Sequence, residues 1–334
     1  MAKLSEVVRF LEKELGAERL PDYPGAYNGL QLQNGGEVRR VACAVDASQP
    51  VIEKAVAEGA DLLVVHHGMF WQGVRMLTGS AYSKLKIAMD AGLAIYSSHI
   101  PLDIHPELGN NVGLSRSLGL GDGEPFFDWK GIFLGRRATY KGSLAELRKA
   151  LELAVGGPVL LRGDEATSAG LVGIITGGAG GEIEAMVAEG IDTFVTGEGP
   201  HWSHPLAEEL GLNVLYAGHY ATETFGVRAL GKLLNLTKTV LGGLILFGIV
   251  FAMNSALHSY LILAYSNTDK AALNVGFYYM ANAGGRLFGT LLSGLIYQWH
   301  GLSGCMWTSS ICVLIAASTV VALPRNRDRV NTVS

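Results

Sequence analysis

The sequence predicts an α/β fold with a duplicated strand–helix unit, followed by three helices of membrane-spanning length. Short apolar runs alternate with helical segments, and the segment VAEG-x-D occurs twice, at 56–61 and at 187–192. Such self-similarity indicates one structural unit that is used twice. Further on the charges disappear: 239–268 contains no Asp, Glu, Lys or Arg, and Arg286 is the only such residue in 271–323.

The first copy of the unit predicts a run of alternating strands and helices. Strands are expected at 38–46, 61–67 and 93–99, and helices are expected at 49–59 and 80–92. Strands that alternate with helices in this way form largely parallel sheets, and such strands are buried on both faces.

The repeat predicts one domain over 1–234, with copies at about 38–103 and 169–223. Between the copies, 126–162 predicts a strand, the helix SLAELRKALELAV and a second strand. This stretch is expected to form a small inserted α+β portion. The N-terminal segment is charged and amphipathic without an apolar run, so it is not a signal peptide, and a cytoplasmic location is expected for this domain.

Composition excludes some classes of protein. The net charge of -4 over 334 residues gives no electrostatic reason to expect a nucleic-acid partner. The three cysteines, Cys43, Cys305 and Cys312, form no disulfide framework and no metal-binding C-x-x-C pair.

Both copies place side chains that can bind metals at the ends of predicted strands. GLAIYSSHIPLD (92–103) corresponds to GLNVLYAGHYATE (211–223), so the pattern His-x-x-x-acid occurs twice. The candidate ligands at these strand ends are His66, His67, His99, Asp103, His219 and Glu223. Ligands in open α/β sheets bind outside the carboxyl ends of strands, which favours a shared metal site.

Each local pattern leaves an alternative open. His219 and Glu223 are four apart and share one helix face, but such a pair also occurs as a surface ion pair. His66 and His67 are adjacent on a strand and point to opposite faces unless the backbone bends there. Pro101 predicts that HIPLD is a turn rather than a helix.

Together the six residues predict a site for two divalent ions per chain, with a carboxylate bridging them. Imidazole and carboxylate ligands suit Zn, Fe, Mn or Ni without choosing among them. Glu198, which corresponds to His67 in the repeat, and His201 are candidate catalytic residues, as a general base and a substrate contact. A supporting or surface role for both is the alternative. The glycine run GGAGG (177–181) favours a tight turn over a phosphate-binding loop, because Lys-Ser/Thr is missing.

Five motifs in the first part carry a family resemblance. They are NGLQ (28–31), VVHHG (64–68), SSHIPLD (97–103), VTGE (195–198) and AGHYATE (217–223). As a set they resemble the Nif-three-like dinuclear-metal family, whose members are often named GTP cyclohydrolase I type 2 homologues, over residues 1–233. The resemblance implies that the six candidates bind two metal ions, and that the chain forms a homohexamer, a trimer of dimers with its metal sites facing an internal cavity.

The same resemblance implies a hydrolase reaction. A metal-activated water would attack the purine ring of GTP, opening it and releasing formate. No basic cluster near the motifs identifies a triphosphate, so the nucleotide substrate rests on the resemblance alone. A non-catalytic metal-binding or interaction protein is the first alternative, and a membrane transporter fragment joined by accident is the second.

The C-terminal part predicts three membrane spans at 239–266, 271–299 and 303–324, followed by a basic tail at 325–334. The phrase NVGFYYMANAGGRLFG (274–289) resembles the last helices of a major facilitator superfamily transporter, most closely the organoarsenical exporters. The resemblance implies membrane association through this tail.

The two parts of the chain predict opposite sides of a membrane. The arginines of the tail, Arg325, Arg327 and Arg329, place the C-terminus in the cytoplasm by the positive-inside rule. Three spans would then place the first domain outside, although it carries no export signal. We therefore interpret 233–238 as a seam between two unrelated proteins, in preference to a linker within a membrane-anchored enzyme.

Overall fold

The structure is a computed structural model that divides into two compact units, Met1–Leu241 and Gly242–Ser334. The described residues are 2–71, 73, 76–234 and 271–322.

The strands and helices of the described residues follow in chain order. The strands are β1 Ala2–Lys3, β2 Gly29–Leu32, β3 Glu37–Val38, β4 Val41–Asp46, β5 Leu62–His67, β6 Ala94–Ser97, β7 Glu124–Trp129, β8 Ile132–Ser143, β9 Leu160–Arg162, β10 Ser168–Ile174, β11 Thr193–Thr196 and β12 Asn213–Tyr216. The helices are α1 Leu4–Leu15, α2 Gln49–Ala57, α3 Gly79–Asp90, α4 Ile100–Ile104, α5 Asn110–Ser117, α6 Leu144–Val155, α7 Ile183–Ala188, α8 Ser203–Leu210, α9 His219–Thr222, α10 at 224–234 and α11 Ala271–Ala322.

Two mixed sheets organise the first unit and confirm the predicted α/β fold. The first sheet has the order β2-β6-β5-β4, and the second has the order β7-β8-β10-β11-β12-β9. In each sheet the three strands of one repeat copy run parallel, β4-β5-β6 in the first and β10-β11-β12 in the second. Each copy also ends in an antiparallel neighbour, because β2 pairs with β6 and β9 pairs with β12.

The residues between the copies belong to the second sheet. The sequence predicts a small inserted portion at 126–162, but β7 and β8 pair along one edge of the second copy and β9 pairs along the other. Periodicity predicts strands and helices and carries no information about which sheet a strand joins. In the described residues, β10 has β8 as an antiparallel neighbour, whereas β4 at the matching position pairs with β5 alone.

Helices cover both faces of the first sheet, and strand alternation assigns the core residues to each face. Along β5, Leu62 and Val64 pack with α1 and α10, whereas Leu63 and Val65 pack with α2 and α3. All four side chains are buried, as expected for a parallel strand between two helical layers. The second sheet is covered in the same way by α5 and α6 on one face and by α7 and α8 on the other.

Helix α6 shows how local sequence sets an element and its packing. Ser143 caps its first turn, because the Ser143 hydroxyl accepts a hydrogen bond from the Glu146 amide and the Glu146 carboxylate accepts one from the Ser143 amide. Leu144, Leu147 and Leu151 recur at helical spacing, and all three are buried against the second sheet. The helix ends at Gly156, whose left-handed conformation closes the last turn.

The prediction that HIPLD forms a turn is wrong. The structure has helix α4 at Ile100–Ile104, with Pro101 in its first turn. Proline is tolerated there because the amide hydrogen that it lacks would have no partner within the helix. The helix brings Asp103 back beside His99, four residues earlier in the chain.

The second unit contains α11, which is interrupted at Gly301 by a non-helical backbone conformation. Residues on the two sides of this interruption are in contact, since the Cys305 thiol donates to the Ser293 carbonyl oxygen at 3.4 Å. None of the helices in the described part combines the length and apolar character that a bilayer crossing requires. The spans expected at 271–299 and 303–324 are therefore not supported.

The prediction of these spans depended on the near absence of charge, which does not by itself make a helix able to cross a bilayer. The remaining predictions for this part, a span at 239–266 and a basic tail at 325–334, lie outside the described residues.

The glycine run at 177–181 allows two backbone segments to lie in direct contact. Gly180 donates its amide hydrogen to the Glu198 carbonyl oxygen at 3.0 Å, and a Cβ atom at Gly180 would lie 2.6 Å from that oxygen. The Gly177 carbonyl oxygen accepts the amide hydrogens of Gly197 and Glu198, both at 2.9 Å. The run is thus a tight turn, and it fixes the backbone that carries Glu198.

We expect Gly180→Ala to lower the free energy of unfolding by about 1–3 kcal/mol, because a methyl group there must displace backbone atoms. Urea denaturation followed by circular dichroism measures the change. Gly157→Ala is the control, since a Cβ atom at Gly157 meets nothing within 4 Å. Equal losses in the two variants would contradict this account of the turn.

Candidate metal centre

The carboxyl ends of the two sheets face one cavity of about 520 Å³. From the first sheet, the cavity is lined by Asp46 and His67 at strand ends and by His99 and Asp103 beyond β6. From the second sheet, it is lined by Thr176, which follows β10, and by His219 and Glu223, which follow β12. The position is the one at which open α/β sheets bind their ligands.

The structure brings all six predicted ligand residues together. Glu223 lies at the centre: its Oε1 is 3.1 Å from His219 Nε2 and 3.5 Å from His66 Nε2, and its Oε2 is 3.4 Å from His67 Nε2. Asp103 Oδ1 is also 3.5 Å from His66 Nε2.

Three overlapping groups have their ligand atoms within 4.8 Å of one another. They are His66–His67–His99, His67–His219–Glu223 and His66–Asp103–Glu223.

Strand ends and short helices bring these side chains together. His66 and His67 are the last residues of β5, and their rings converge with centroids 4.7 Å apart although they are adjacent in the chain. His219 opens α9 and Glu223 directly follows its last residue, so the two lie on one side of this turn, as predicted from their spacing.

Each histidine has its Nδ1 atom occupied by a partner outside the cluster. His67 Nδ1 is 2.9 Å from Asp46, His99 Nδ1 is 2.7 Å from Asp22, and His219 Nδ1 is 2.8 Å from Glu198. His66 Nδ1 is 3.0 Å from the Ser98 carbonyl oxygen, to which it donates. These partners hold the rings so that the Nε2 atoms of His66, His67 and His219 point at the carboxylates, as in metal-binding histidines.

The central carboxylates are held in place by polar and glycine neighbours. Asp103 Oδ1 accepts hydrogen bonds from Asn110 Nδ2 at 2.8 Å and from Thr176 Oγ1 at 3.3 Å. Gly177 makes room for Glu223, because a Cβ atom at Gly177 would collide with the Glu223 carboxylate.

The separations of the donor atoms suit binding to a shared metal ion better than hydrogen bonding between the donors. His66 Nε2 and Glu223 Oε2 are buried, and neither has a hydrogen-bond partner among the described residues. Such orphaned polar atoms are costly unless something else satisfies them. Two ligand atoms bound about 2.1 Å from one tetrahedral ion are roughly 3.4 Å apart, which is close to the separations of 3.4–3.5 Å in this cluster.

The carboxylates and imidazoles of the cluster shift one another's pKa values. Burial lowers the pKa of His66, but Asp103 and Glu223 together raise it to about 9. The hydrogen bond to Glu223 raises the pKa of His219 to about 9. Burial raises the pKa of Glu223, but the hydrogen bond from His219 and the charges of His66 and His67 outweigh burial and hold that pKa well below its usual range. Protons on the two imidazoles thus balance the buried carboxylates where metal ions would otherwise do so.

The two candidate catalytic residues lie in different places. Glu198 is well exposed and binds His219 Nδ1 from outside the cluster. His201 is also exposed and does not line the cavity; its ring stacks on that of His204, with centroids 6.1 Å apart.

Sequence reasoning missed Asp22 and Asp46, the partners of His99 and His67. Asp46 is the last residue of β4, and ligands in open α/β sheets bind at the carboxyl ends of strands. The same reasoning that found the other site residues could therefore have found Asp46. Asp22 lies in an irregular segment 77 residues before His99, and no periodic signal points to it.

The comparisons with known proteins agree with the geometry. The family model described as Duf34/NIF3 (NGG1p interacting factor 3) matches residues 2–245. The chain belongs to the Duf34/NIF3 family. A relative from Deinococcus radiodurans, named "GTP cyclohydrolase 1 type 2 homolog", is 40% identical over 227 residues, which cover 67% of this chain and 86% of the relative. A relative of the same name from Pyrococcus abyssi is 41% identical over 230 residues, covering 68% and 91%.

Solved structures of the family share the fold. The crystal structure of TTHA1606 from Thermus thermophilus is 35% identical with a TM-score of 0.61, covering 70% of this chain and 94% of that one. The Duf34/NIF3 match also runs past the seam predicted at 233–238. Neither the comparisons nor the described helices support a transporter fragment or a fusion.

We expect the metal-free protein to lose stability as the pH rises from 6.5 to 9. His66 and His219 bind protons more tightly in the folded state, with pKa values of about 9 in place of 6.5. Their stabilising contribution is therefore complete below pH 6.5 and is lost as the pH rises through 9. Urea denaturation in EDTA at several pH values measures the slope.

The variant His219→Asn should show a shallower slope over this interval than the wild-type protein. The control is His201→Asn, which removes an exposed histidine outside the cavity. Identical slopes for wild type and His219→Asn would contradict the linkage.

Proposed function

We propose that this member of the Duf34/NIF3 family is a dinuclear metal-binding protein that acts as a metal-dependent hydrolase. The main support is the pair of orphaned buried atoms, His66 Nε2 and Glu223 Oε2, beside a cavity large enough for a substrate. The residues that would hold two divalent ions per chain are His66, His67, His99, Asp103, His219 and Glu223. The donor set suits Zn, Fe, Mn or Ni.

Glu223 would hold metal from the centre of the cluster. One of its oxygens lies beside His66 and His219, and the other lies beside His67, so the carboxylate spans the cluster. When bound, two ions would supply Lewis-acid polarisation of the substrate and a lowered pKa for coordinated water. Asp22, Asp46 and Glu198 would keep the imidazoles oriented; for Glu198 we propose this role in place of a general base.

For the reaction, we propose hydrolytic opening of a purine ring, as the relatives' name "GTP cyclohydrolase 1 type 2 homolog" suggests. One observation favours the second candidate, a non-catalytic metal-binding protein: none of the described residues that line the cavity is Lys or Arg. A triphosphate would thus find no countercharge from Lys or Arg along this lining. The homohexamer that the family resemblance implies stays a prediction.

We expect Glu223→Gln to lose at least one of two bound ions, because an amide of the same shape lacks the negative charge that compensates them. Elemental analysis by mass spectrometry, after gel filtration of the full chain, counts the ions. Glu182→Gln is the matched control, since Glu182 lines the same cavity outside the ligand set. Two ions retained in Glu223→Gln would make the ligand assignment wrong.

We expect the metal-loaded protein to release formate from GTP, and we expect His67→Ala to reduce the rate at least about 100-fold through loss of a ligand. A formate dehydrogenase assay coupled to NADH formation measures the product. Glu184→Gln serves as the control here, because Glu184 is exposed and does not line the cavity. If the wild-type protein holds two ions but releases no formate, the proposed reaction is wrong and the non-catalytic metal-binding protein is the remaining candidate.

A further inference from the structure

An aromatic wall rises from the metal cluster to the mouth of the cavity. It consists of Tyr23, Trp71 and Trp129, all of which line the cavity. The ring of Trp71 lies edge-on to that of His99, with centroids 4.6 Å apart. Tyr23 is 6.5 Å from Trp71 and 5.3 Å from Trp129, so the three rings extend outward from a ligand histidine.

The inner part of the wall is fixed by the same residues that support the metal cluster. The Asp22 carboxylate accepts hydrogen bonds from His99, from the Asn28 amide and from the Ile100 backbone amide, which anchors its loop. Tyr23 is the next residue and is therefore held at the mouth. Its side chain is 49% exposed, which is more than a packing role requires.

The outer part of the wall is the tip of the hairpin between β7 and β8. Trp129 pairs with Ile132, and the two residues between them, Lys130 and Gly131, have φ angles of 53° and 84°. Positive angles at both positions define the tight turn that suits twisted strands. A lysine in this conformation is strained. The Lys130 ammonium group lies 4.1 Å from the centre of the Trp129 ring and 5.7 Å from that of the Tyr23 ring.

We propose that Tyr23, Trp71 and Trp129 form a subsite for a planar heteroaromatic ring, and that Lys130 meets an anionic group that the ring carries. The proposal deepens the proposed function, on which it rests, by naming recognition residues for its substrate class. A nucleoside monophosphate has the chemistry that this subsite would bind.

The indole of Trp71 gives independent support. Its Nε1–H group is buried, and no described residue accepts a hydrogen bond from it. A buried donor of this kind is costly without an acceptor. A ring nitrogen or a carbonyl oxygen of a stacked heterocycle would supply one beside the metal cluster, whereas a purely apolar ligand would not.

The distribution of charge places the anionic group at the mouth. The cavity is lined by the carboxyl groups of Asp46, Asp103, Glu182 and Glu223, and no Lys or Arg lines it among the described residues. An anion would meet repulsion along this acidic lining. Lys130 is the cation that the aromatic wall carries at its outer end.

Calorimetric titration of the full chain tests the subsite with three probes: GMP, guanosine and ribose 5-phosphate. We expect GMP to bind more tightly than ribose 5-phosphate, both with metal and in EDTA. Trp129→Ala should weaken GMP binding roughly 10-fold, since stacking on one aromatic side chain contributes this much. Trp129→Phe should restore most of the affinity, and binding of ribose 5-phosphate should not change.

The variant Lys130→Asn tests the contribution of the Lys130 charge to binding separately from that of the Trp129 ring. Asparagine accepts a positive φ and so keeps the turn. We expect this variant to lose about 2- to 5-fold in affinity for GMP and nothing for guanosine. Trp202→Ala is the control, because Trp202 is an exposed tryptophan outside the cavity.

Equal affinities for GMP and ribose 5-phosphate, or an unchanged GMP affinity in Trp129→Ala, would overturn the proposal. A change of oligomeric state in Trp129→Ala without a change in GMP affinity would also overturn it and make the hairpin a subunit contact. The metal content of each sample keeps the two hypotheses apart. If a sample holds two ions but binds GMP no more tightly than ribose 5-phosphate, the subsite proposal fails and the proposed function stands. If the sample in EDTA still prefers GMP, the subsite recognises the ring without the ions.

Discussion

The carboxylate of Glu223, buried among three imidazoles, is the constraint on which the rest of the site depends. A buried carboxylate costs several kcal/mol unless charges or hydrogen bonds compensate it. His66, His67 and His219 supply that compensation from two different sheets, so both sheets must present their carboxyl ends to one point. The glycine at 177 serves the same end, because any side chain there would occupy the space of the carboxylate.

The duplicated unit explains how candidate ligands from distant parts of the chain meet. Each copy delivers a histidine and an acid after its third strand, and each of these histidines is held from behind by a carboxylate, Asp22 for His99 and Glu198 for His219. The copies differ at the second strand, where His67 in the first corresponds to Glu198 in the second. One copy therefore contributes an additional imidazole to the cluster, and the other contributes a carboxylate that supports His219, so the cluster is asymmetric although the fold repeats.

Much of this could be predicted from sequence because it depends on local patterns. Alternation and a repeated segment predicted the α/β fold, and strand-end positions singled out the six residues that now lie together. Asp22 could not be predicted, because its contact with His99 depends on how an irregular loop folds over the cavity. The pattern of α11 misled for a different reason: a nearly uncharged sequence predicts membrane spans, but absence of charge alone does not establish that a helix crosses a bilayer.

The floor and the mouth of the cavity differ in chemistry. Its floor holds nitrogen and carboxylate donors that can compensate cations, and its mouth carries aromatic rings and one ammonium group. With the floor empty of metal, the acidic lining opposes an anionic ligand, and the protons on His66 and His219 offset only part of that charge. Two divalent ions at the floor would replace those protons and neutralise the four carboxyl groups of the lining. Metal loading should therefore strengthen the binding of an anionic ligand, so that the protein holds such a ligand most tightly when its centre is filled.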